Sequence, residues 1–176
     1  GLGVQVGPDW GLGLDLGFIT NAAALTEAAG RAILDCCQWV RVSLDAATPE
    51  VYKLTHGMGA AAFQRVLDNV RLLVRLKRQE SFACTVGLGF LTCAESRQDI
   101  LPFASLGREL GVDYVQYRPL LRRFGEAELD YSDPGMLADM RRARELSGDG
   151  FQVADSEHKY RLIQEGDWRR AYAKCY

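Results

Sequence analysis

Short apolar runs rich in β-branched residues alternate with longer amphipathic segments along most of this chain. The apolar runs predict strands at residues 14–19, 39–44, 82–91, 112–117 and 151–154. The amphipathic segments predict helices at residues 25–38, 63–78, 100–110 and 134–147, with a short helix that begins near Pro49. Thr26 and Thr48 are expected to cap helices and Gly111 to end one. The alternation predicts parallel βαβ units and an α/β fold.

The rhythm of strands and helices leaves two architectures open. A closed or partly closed barrel and a doubly wound open sheet both consist of parallel strands with helical crossovers. The strands lack clear polar alternation, so we expect a sheet that is covered on both faces. Both architectures carry their chemistry at the carboxyl ends of strands, which directs attention to the polar residues that follow each apolar run.

Composition narrows the class of protein. The chain has 176 residues, of which 48% are hydrophobic and 25% charged, as expected for one globular domain. The net charge of −2 gives no reason to expect nucleic acid or a membrane surface as a partner. No apolar run reaches the ~20 residues that span a bilayer. Five cysteines, two of them adjacent, do not suggest a disulfide framework, so we expect a reducing cytoplasm.

Five segments carry a family resemblance through their order and spacing: LGFITNAAALTEAA, WVRVSLDAATPEVYKLTHG, FQRVLDNVRLL, TVGLGFLT and ELGVDYVQYRPL. Together they resemble the radical S-adenosylmethionine enzymes over about residues 14–120, which correspond to the third to sixth strands of that family's barrel. The resemblance implies a partial (β/α)6 TIM-like barrel of parallel strands with outer helices. Residues 14–154 would be the barrel portion, after an irregular segment at 1–13 and before a tail at 155–176. That tail would lead to a C-terminal auxiliary-cluster domain of the SPASM or twitch type.

The resemblance also implies an activity and its cofactors. Members of the family use a [4Fe–4S] cluster and S-adenosylmethionine to generate a 5′-deoxyadenosyl radical, which abstracts hydrogen from a substrate. The substrate would be a peptide or a small metabolite, and the electron would come from a reductant such as flavodoxin or ferredoxin. The family's CxxxCxxC motif does not occur in these 176 residues, so we expect that this polypeptide alone does not cleave S-adenosylmethionine.

Residues at the predicted strand ends take their expected roles from the same resemblance. The cofactor-binding candidates are Thr20, Asn21, Ser43, Asp45, His56, Leu91, Gln116 and Tyr117. Arg118 is the substrate-binding candidate, and Cys175 is a candidate ligand of an auxiliary cluster.

Local explanations compete with several of these roles. Thr20, Asn21 and Asp45 also suit turns that close a strand or cap a helix. Gly87 and Gly89 require a close approach, either by adenine or by neighbouring side chains.

Two other functions fit the same sequence. A degenerate barrel could act as a non-catalytic binding or scaffold module. An unrelated TIM-type enzyme could share the βα rhythm and bind phosphate at a late strand end.

Overall fold

The computed structural model describes residues 15–120, 133–156 and 159–160, and its strands form one parallel sheet. The strands are β1 (Gly17–Thr20), β2 (Trp39–Ser43), β3 (Thr85–Thr92), β4 (Tyr114–Pro119) and β5 (Gln152–Asp155). The helices are α1 (Glu27–Cys36), α2 (Pro49–His56), α3 (Ala60–Glu80), α4 (Ile100–Leu110) and α5 (Pro134–Arg144). A 3₁₀ turn at Arg97–Asp99 leads into α4. The segment predicted at 1–13 and most of the tail predicted at 155–176 lie outside the described residues.

The order of the strands distinguishes between the two expected architectures. Neighbours in the sheet follow the order of the chain, β1-β2-β3-β4-β5, and every pair is parallel. In a doubly wound sheet the order in which strands are added reverses at a switch point, whereas in this sheet each new strand is added on the same side from β1 to β5. Right-handed crossovers then place all connecting helices on one side. The described part is therefore consistent with a segment of a TIM-like fold, in the form of an open five-stranded sheet.

Local signals in the sequence set the ends of the helices. Thr26 caps α1, where its hydroxyl accepts a hydrogen bond from the Ala29 amide at 3.2 Å. Thr48 caps α2 in the same way from Val51 at 3.3 Å, and Gly111 ends α4 in the left-handed conformation at φ 74°. All three predicted helix boundaries are confirmed. Helix α1 is shorter than predicted because Thr26 is its cap and Cys37 is already extended.

The two faces of the sheet differ, contrary to our expectation that both are covered. Val40 and Val42 of β2 and Val115 of β4 are fully buried beneath the helices. The residues between them point the other way and are half-buried or exposed. Helices α1, α3, α4 and α5 pack side by side, as their position on one side of the sheet requires. Alternation in β2 and β4 was obscured because each strand begins with an aromatic residue on the open face, Trp39 in β2 and Tyr114 in β4.

We call the side of the sheet that no described helix covers the open face. Residues that are partners in a parallel ladder share a face, so the register defines its members. The open face of β2, β3 and β4 consists of Trp39, Arg41, Ser43, Thr85, Gly87, Gly89, Leu91, Tyr114, Gln116 and Arg118.

An aromatic cluster on the opposite side fixes α4 against the sheet. The rings of Phe90 and Phe103 have centroids 4.7 Å apart, and those of Phe90 and Tyr117 are 5.3 Å apart. The Tyr117 hydroxyl donates to the Ile100 carbonyl at 2.6 Å, which satisfies a polar group at the start of α4. Burial raises the pKa of Tyr117, so the phenol stays neutral and continues to donate. None of the described helices is long and apolar enough to cross a bilayer.

Candidate functional site

The carboxyl ends of the parallel strands meet along one edge, and Ser43 and Asp45 lie there at the end of β2. Leu44 between them is fully buried. The Ser43 hydroxyl donates to Asp45 Oδ2 at 3.0 Å. Asp45 is 7% exposed and adopts φ 54°, a left-handed conformation that Asp tolerates better than most residues. The chain therefore turns away from the sheet at Asp45.

Asp45 also extends the pairing of β2 with β3 beyond the end of the strand. Its amide donates to the Gly89 carbonyl at 3.2 Å, and its Oδ1 accepts from the Leu91 amide at 2.7 Å. The carboxylate thus takes the place that a backbone carbonyl would have in a longer ladder. Sequence reasoning assigned Asp45 to a ligand or a turn, and the structure shows that it joins two strand ends.

His56, the last residue of α2, faces the same carboxylate. Its Nε2 lies 3.7 Å from Asp45 Oδ2, and its Nδ1 lies 2.9 Å from the Thr55 hydroxyl. The ring stacks on Tyr52 with centroids 4.4 Å apart. These contacts hold the imidazole beside the strand end, where a protonated ring would form an ion pair with Asp45.

The turn after β1 uses both of its predicted polar residues internally. The Thr20 hydroxyl accepts from the Ala22 amide at 3.0 Å, and Asn21 Oδ1 accepts from Ala23 at 3.1 Å. Ala22 is buried with φ 54°, a conformation that usually favours glycine. Asn69 of α3 donates to the Ala22 carbonyl at 2.6 Å and so supports this turn. Asn69 belongs to a segment that carried the resemblance, although sequence reasoning assigned it no role.

A second residue that sequence reasoning missed is Asp99, which is 3% exposed. Its Oδ2 accepts from the amides of Ala47 and Thr48 at 2.6 and 2.9 Å. It also accepts from the Thr48 hydroxyl at 3.1 Å. A carboxylate from the β3–α4 connection therefore occupies the start of α2, a contact between distant segments that no local motif predicts.

The remaining candidates lie on β3 and β4. Leu91 and Arg118 are register partners on the open face, and Gln116 pairs with Gly89 one step below. Tyr117 points to the helix side, so only its backbone faces the edge. Gln116 Oε1 accepts from Arg41, a residue of the open face that sequence reasoning did not select.

The described cysteines do not converge on the site. Cys36 is the last residue of α1, Cys37 follows it and Cys84 precedes β3, so all three lie toward the amino edge of the sheet. Cys93 follows β3 at the carboxyl edge, where it is buried and contacts Ser96. No group of three or more metal-ligating side chains occurs among the described residues. Cys175 lies outside them.

Donor and acceptor chemistry at the edge is suited to a polar ligand. With its proton directed to Asp45, the Ser43 oxygen retains lone pairs that can accept from a ligand. His56 supplies a cation when it is protonated, and Gln116 supplies amide donors. The edge can therefore bind sugar hydroxyls, an amine or a carboxylate.

Comparison with known proteins gives a likeness of fold only. No protein-family model matches the chain, and no curated protein matches it in sequence. Among solved structures, the crystal structure of Streptococcus suis SuiB superimposes with a TM-score of 0.60 at 10% identity. The match covers 90% of this chain and 36% of SuiB, so the chain spans about a third of that protein's length. Similarity at this level of identity shows that the two share a fold.

Proposed function

We propose that this chain is part of a radical S-adenosylmethionine enzyme and that the carboxyl edge of its sheet binds S-adenosylmethionine. The observation that carries the proposal is the convergence of Ser43, Asp45, His56 and the Leu91 amide at one strand end. These residues come from two separate segments of the family resemblance. The fold shared with SuiB over most of the chain is compatible with the architecture that the resemblance implies.

The donor set suits the parts of S-adenosylmethionine. The Ser43 oxygen can accept from a ribose hydroxyl or the methionyl amine, because its own proton is given to Asp45. Protonated His56 can pair with the methionyl carboxylate. Asp45 then holds both side chains in position, since its carboxylate is fixed to the end of β3. The residues of this chain would contribute binding and orientation.

The described residues do not fit a [4Fe–4S] cluster, although they suit S-adenosylmethionine. The cluster's three thiolate ligands require close spacing. The described cysteines occupy opposite edges of the sheet, and CxxxCxxC does not occur in the sequence. The proposal therefore assigns the cluster to residues other than those described. Hydrogen abstraction, the reductant and the identity of the substrate belong to the proposed whole enzyme.

Two helix starts weigh against the phosphate-binding alternative. Asp99 accepts the amides at the start of α2, and Asp133 caps α5 through the Met136 amide at 2.6 Å. A carboxylate in these positions satisfies the donors that would otherwise attract phosphate.

The test measures binding of S-adenosylmethionine to the 176-residue chain by isothermal titration, supported by ligand-observed NMR for weak binding. Ser43→Ala is expected to lower the affinity about two- to tenfold, as for the loss of one hydrogen bond to a neutral group. Ser105→Ala is the matched control, because Ser105 is exposed and bonds only to the Leu101 carbonyl of its own helix. Absence of binding, or equal affinity in both variants with unchanged melting temperatures, would contradict the proposal and favour a non-catalytic module.

A further inference from the structure

Two glycines of β3 leave room on the open face for side chains of the neighbouring strands. A Cβ at Gly87 would lie 2.1 Å from a ring carbon of Tyr114. One at Gly89 would lie 3.3 Å from Cδ of Arg41. The Tyr114 ring from β4 and the Arg41 side chain from β2 therefore lie across β3. This packing explains both glycines without a ligand.

Arg41 crosses β3 to reach β4, where its guanidinium donates to Gln116 Oε1. Its Cζ lies 5.6 Å from the centroid of the Trp39 ring, and it interacts with the Tyr114 side chain. All of these partners are neutral. None of the ion pairs among the described residues includes Arg41. Within the part of the chain that the structure describes, Arg41 is thus a half-buried cation without a counter-ion.

The surroundings favour an anion at this position. The open-face positions of the strands include two arginines, Arg41 and Arg118, and no Asp or Glu. A partly desolvated charge with only neutral partners gains most from a hydrogen-bonded anion. Because Gln116 accepts through Oε1, its amide NH₂ remains available as a further donor.

We propose that Arg41 and Gln116, beside Tyr114, form a subsite for a carboxylate of the substrate. A planar guanidinium next to an amide donor matches the two oxygens of a carboxylate. Lysine, a glycine-rich loop and a helix start, which favour phosphate, are absent from the described part of this face. The subsite stands without the proposed function, but its assignment to substrate depends on it. Arg41 lies two residues before Ser43, about 6–7 Å from the edge that would bind the cofactor.

Binding is measured by ¹⁵N NMR on the Nε–Hε signals of labelled chain, at constant ionic strength held with chloride. Acetate, inorganic phosphate and S-adenosylmethionine are titrated separately. Acetate should shift the Arg41 signal, identified by its loss in Arg41→Gln, in a saturable way. Half-saturation by acetate should occur at a concentration at least about tenfold lower than by phosphate. Arg75→Gln is the matched control, because Arg75 is exposed on α3, and it should leave the titration unchanged.

Gln116→Glu provides a second test that does not remove the arginine. The new carboxylate would pair with Arg41 within the chain, so acetate affinity should fall about tenfold or more while the melting temperature is maintained or rises. Linear, non-saturating shifts of the Arg41 signal, or acetate binding unchanged in Gln116→Glu, would overturn the subsite. If S-adenosylmethionine fails to bind while acetate saturates, the proposed function fails and the subsite remains.

Two further ligands distinguish between a small metabolite and a peptide as the source of the carboxylate. Glutarate represents a small diacid, and an acetylated, amidated Gly-Glu-Gly tripeptide represents a peptide side chain. Tighter binding of the tripeptide than of acetate supports a peptide substrate, and tighter binding of glutarate supports a small metabolite. S-adenosylmethionine that competes with acetate for the Arg41 signal would instead assign the subsite to the cofactor and overturn its assignment to substrate.

Discussion

Replacement of Asp45 by alanine tests how the candidate site is held together. The substitution removes two hydrogen bonds from the end of the β2–β3 pair, one from the Leu91 amide at 2.7 Å and one from the Ser43 hydroxyl at 3.0 Å. It also places alanine at φ 54°, where Asp is better tolerated. Both changes should destabilise the fold.

The magnitude follows from these two changes. Hydrogen bonds to a charged acceptor are worth ~1.5–3 kcal/mol, and a buried amide left without a partner costs ~1–3 kcal/mol. The backbone change adds about 1 kcal/mol. The contact with His56 at 3.7 Å is partly solvated and adds little. Because these contributions overlap, we expect Asp45→Ala to lower the free energy of unfolding by about 3–4 kcal/mol.

The chain offers a matched control at Asp149, which adopts φ 51° but has a side chain that is 91% exposed. Its pair with Arg108, at 3.4 Å, is also exposed. Asp149→Ala therefore reports the backbone cost, and we expect a loss of about 1 kcal/mol. Asp45→Asn keeps an acceptor for Leu91 and should lie between the two alanine variants. Urea unfolding followed by circular dichroism gives the free energies of unfolding, provided that the variants have the same dependence of this free energy on urea concentration.

A difference below 1 kcal/mol between Asp45→Ala and Asp149→Ala would refute the argument. It would mean that the carboxylate does not join β2 to β3, and that the site owes its geometry to backbone pairing alone.

Three further predictions follow from the described contacts. Gly87→Ala should destabilise the fold by about 1–3 kcal/mol because the new methyl group clashes with Tyr114, and Gly89→Ala should destabilise it less because its neighbour Arg41 is flexible. In urea unfolding, the losses of stability in Gly87→Ala and Tyr114→Ala should not add in the double variant; additive losses would exclude the contact. Burial raises the pKa of the Cys84 thiol in the folded chain from 9.0 to about 11. Its contribution to stability is therefore complete below pH 9 and is lost as pH rises to 11, because the unfolded thiol ionises in that window while the folded one stays neutral. The free energy of unfolding should fall between these pH values, less so in Cys84→Ala, and equal pH profiles of the two proteins would contradict this. After anaerobic reconstitution with iron and sulfide, the chain should release no 5′-deoxyadenosine from S-adenosylmethionine. Chromatography of the reaction mixture would detect this product.

Local patterns in the sequence were sufficient to predict the elements and most of their ends. Thr26, Thr48 and Gly111 act through bonds to residues within one turn of the helix, so their effect can be inferred from the adjacent sequence. The alternation of strand and helix predicted parallel βαβ units for the same reason. The rule that parallel sheets carry polar residues at their carboxyl ends singled out Ser43 and Asp45 before any geometry was known.

Contacts between distant segments were decided by the tertiary structure. Strand order, which separates a singly wound from a doubly wound sheet, depends on how whole βα units pack, and both orders have the same local pattern. Asp99 meets Thr48 across 51 positions, and Arg41 meets Gln116 across 75. Contacts between residues so far apart in the chain cannot be predicted from hydrophobic periodicity, because the partners are brought together only by the packing of the elements between them. Glycines at 87 and 89 were visible as an anomaly, but only the side chains that cross them gave the reason.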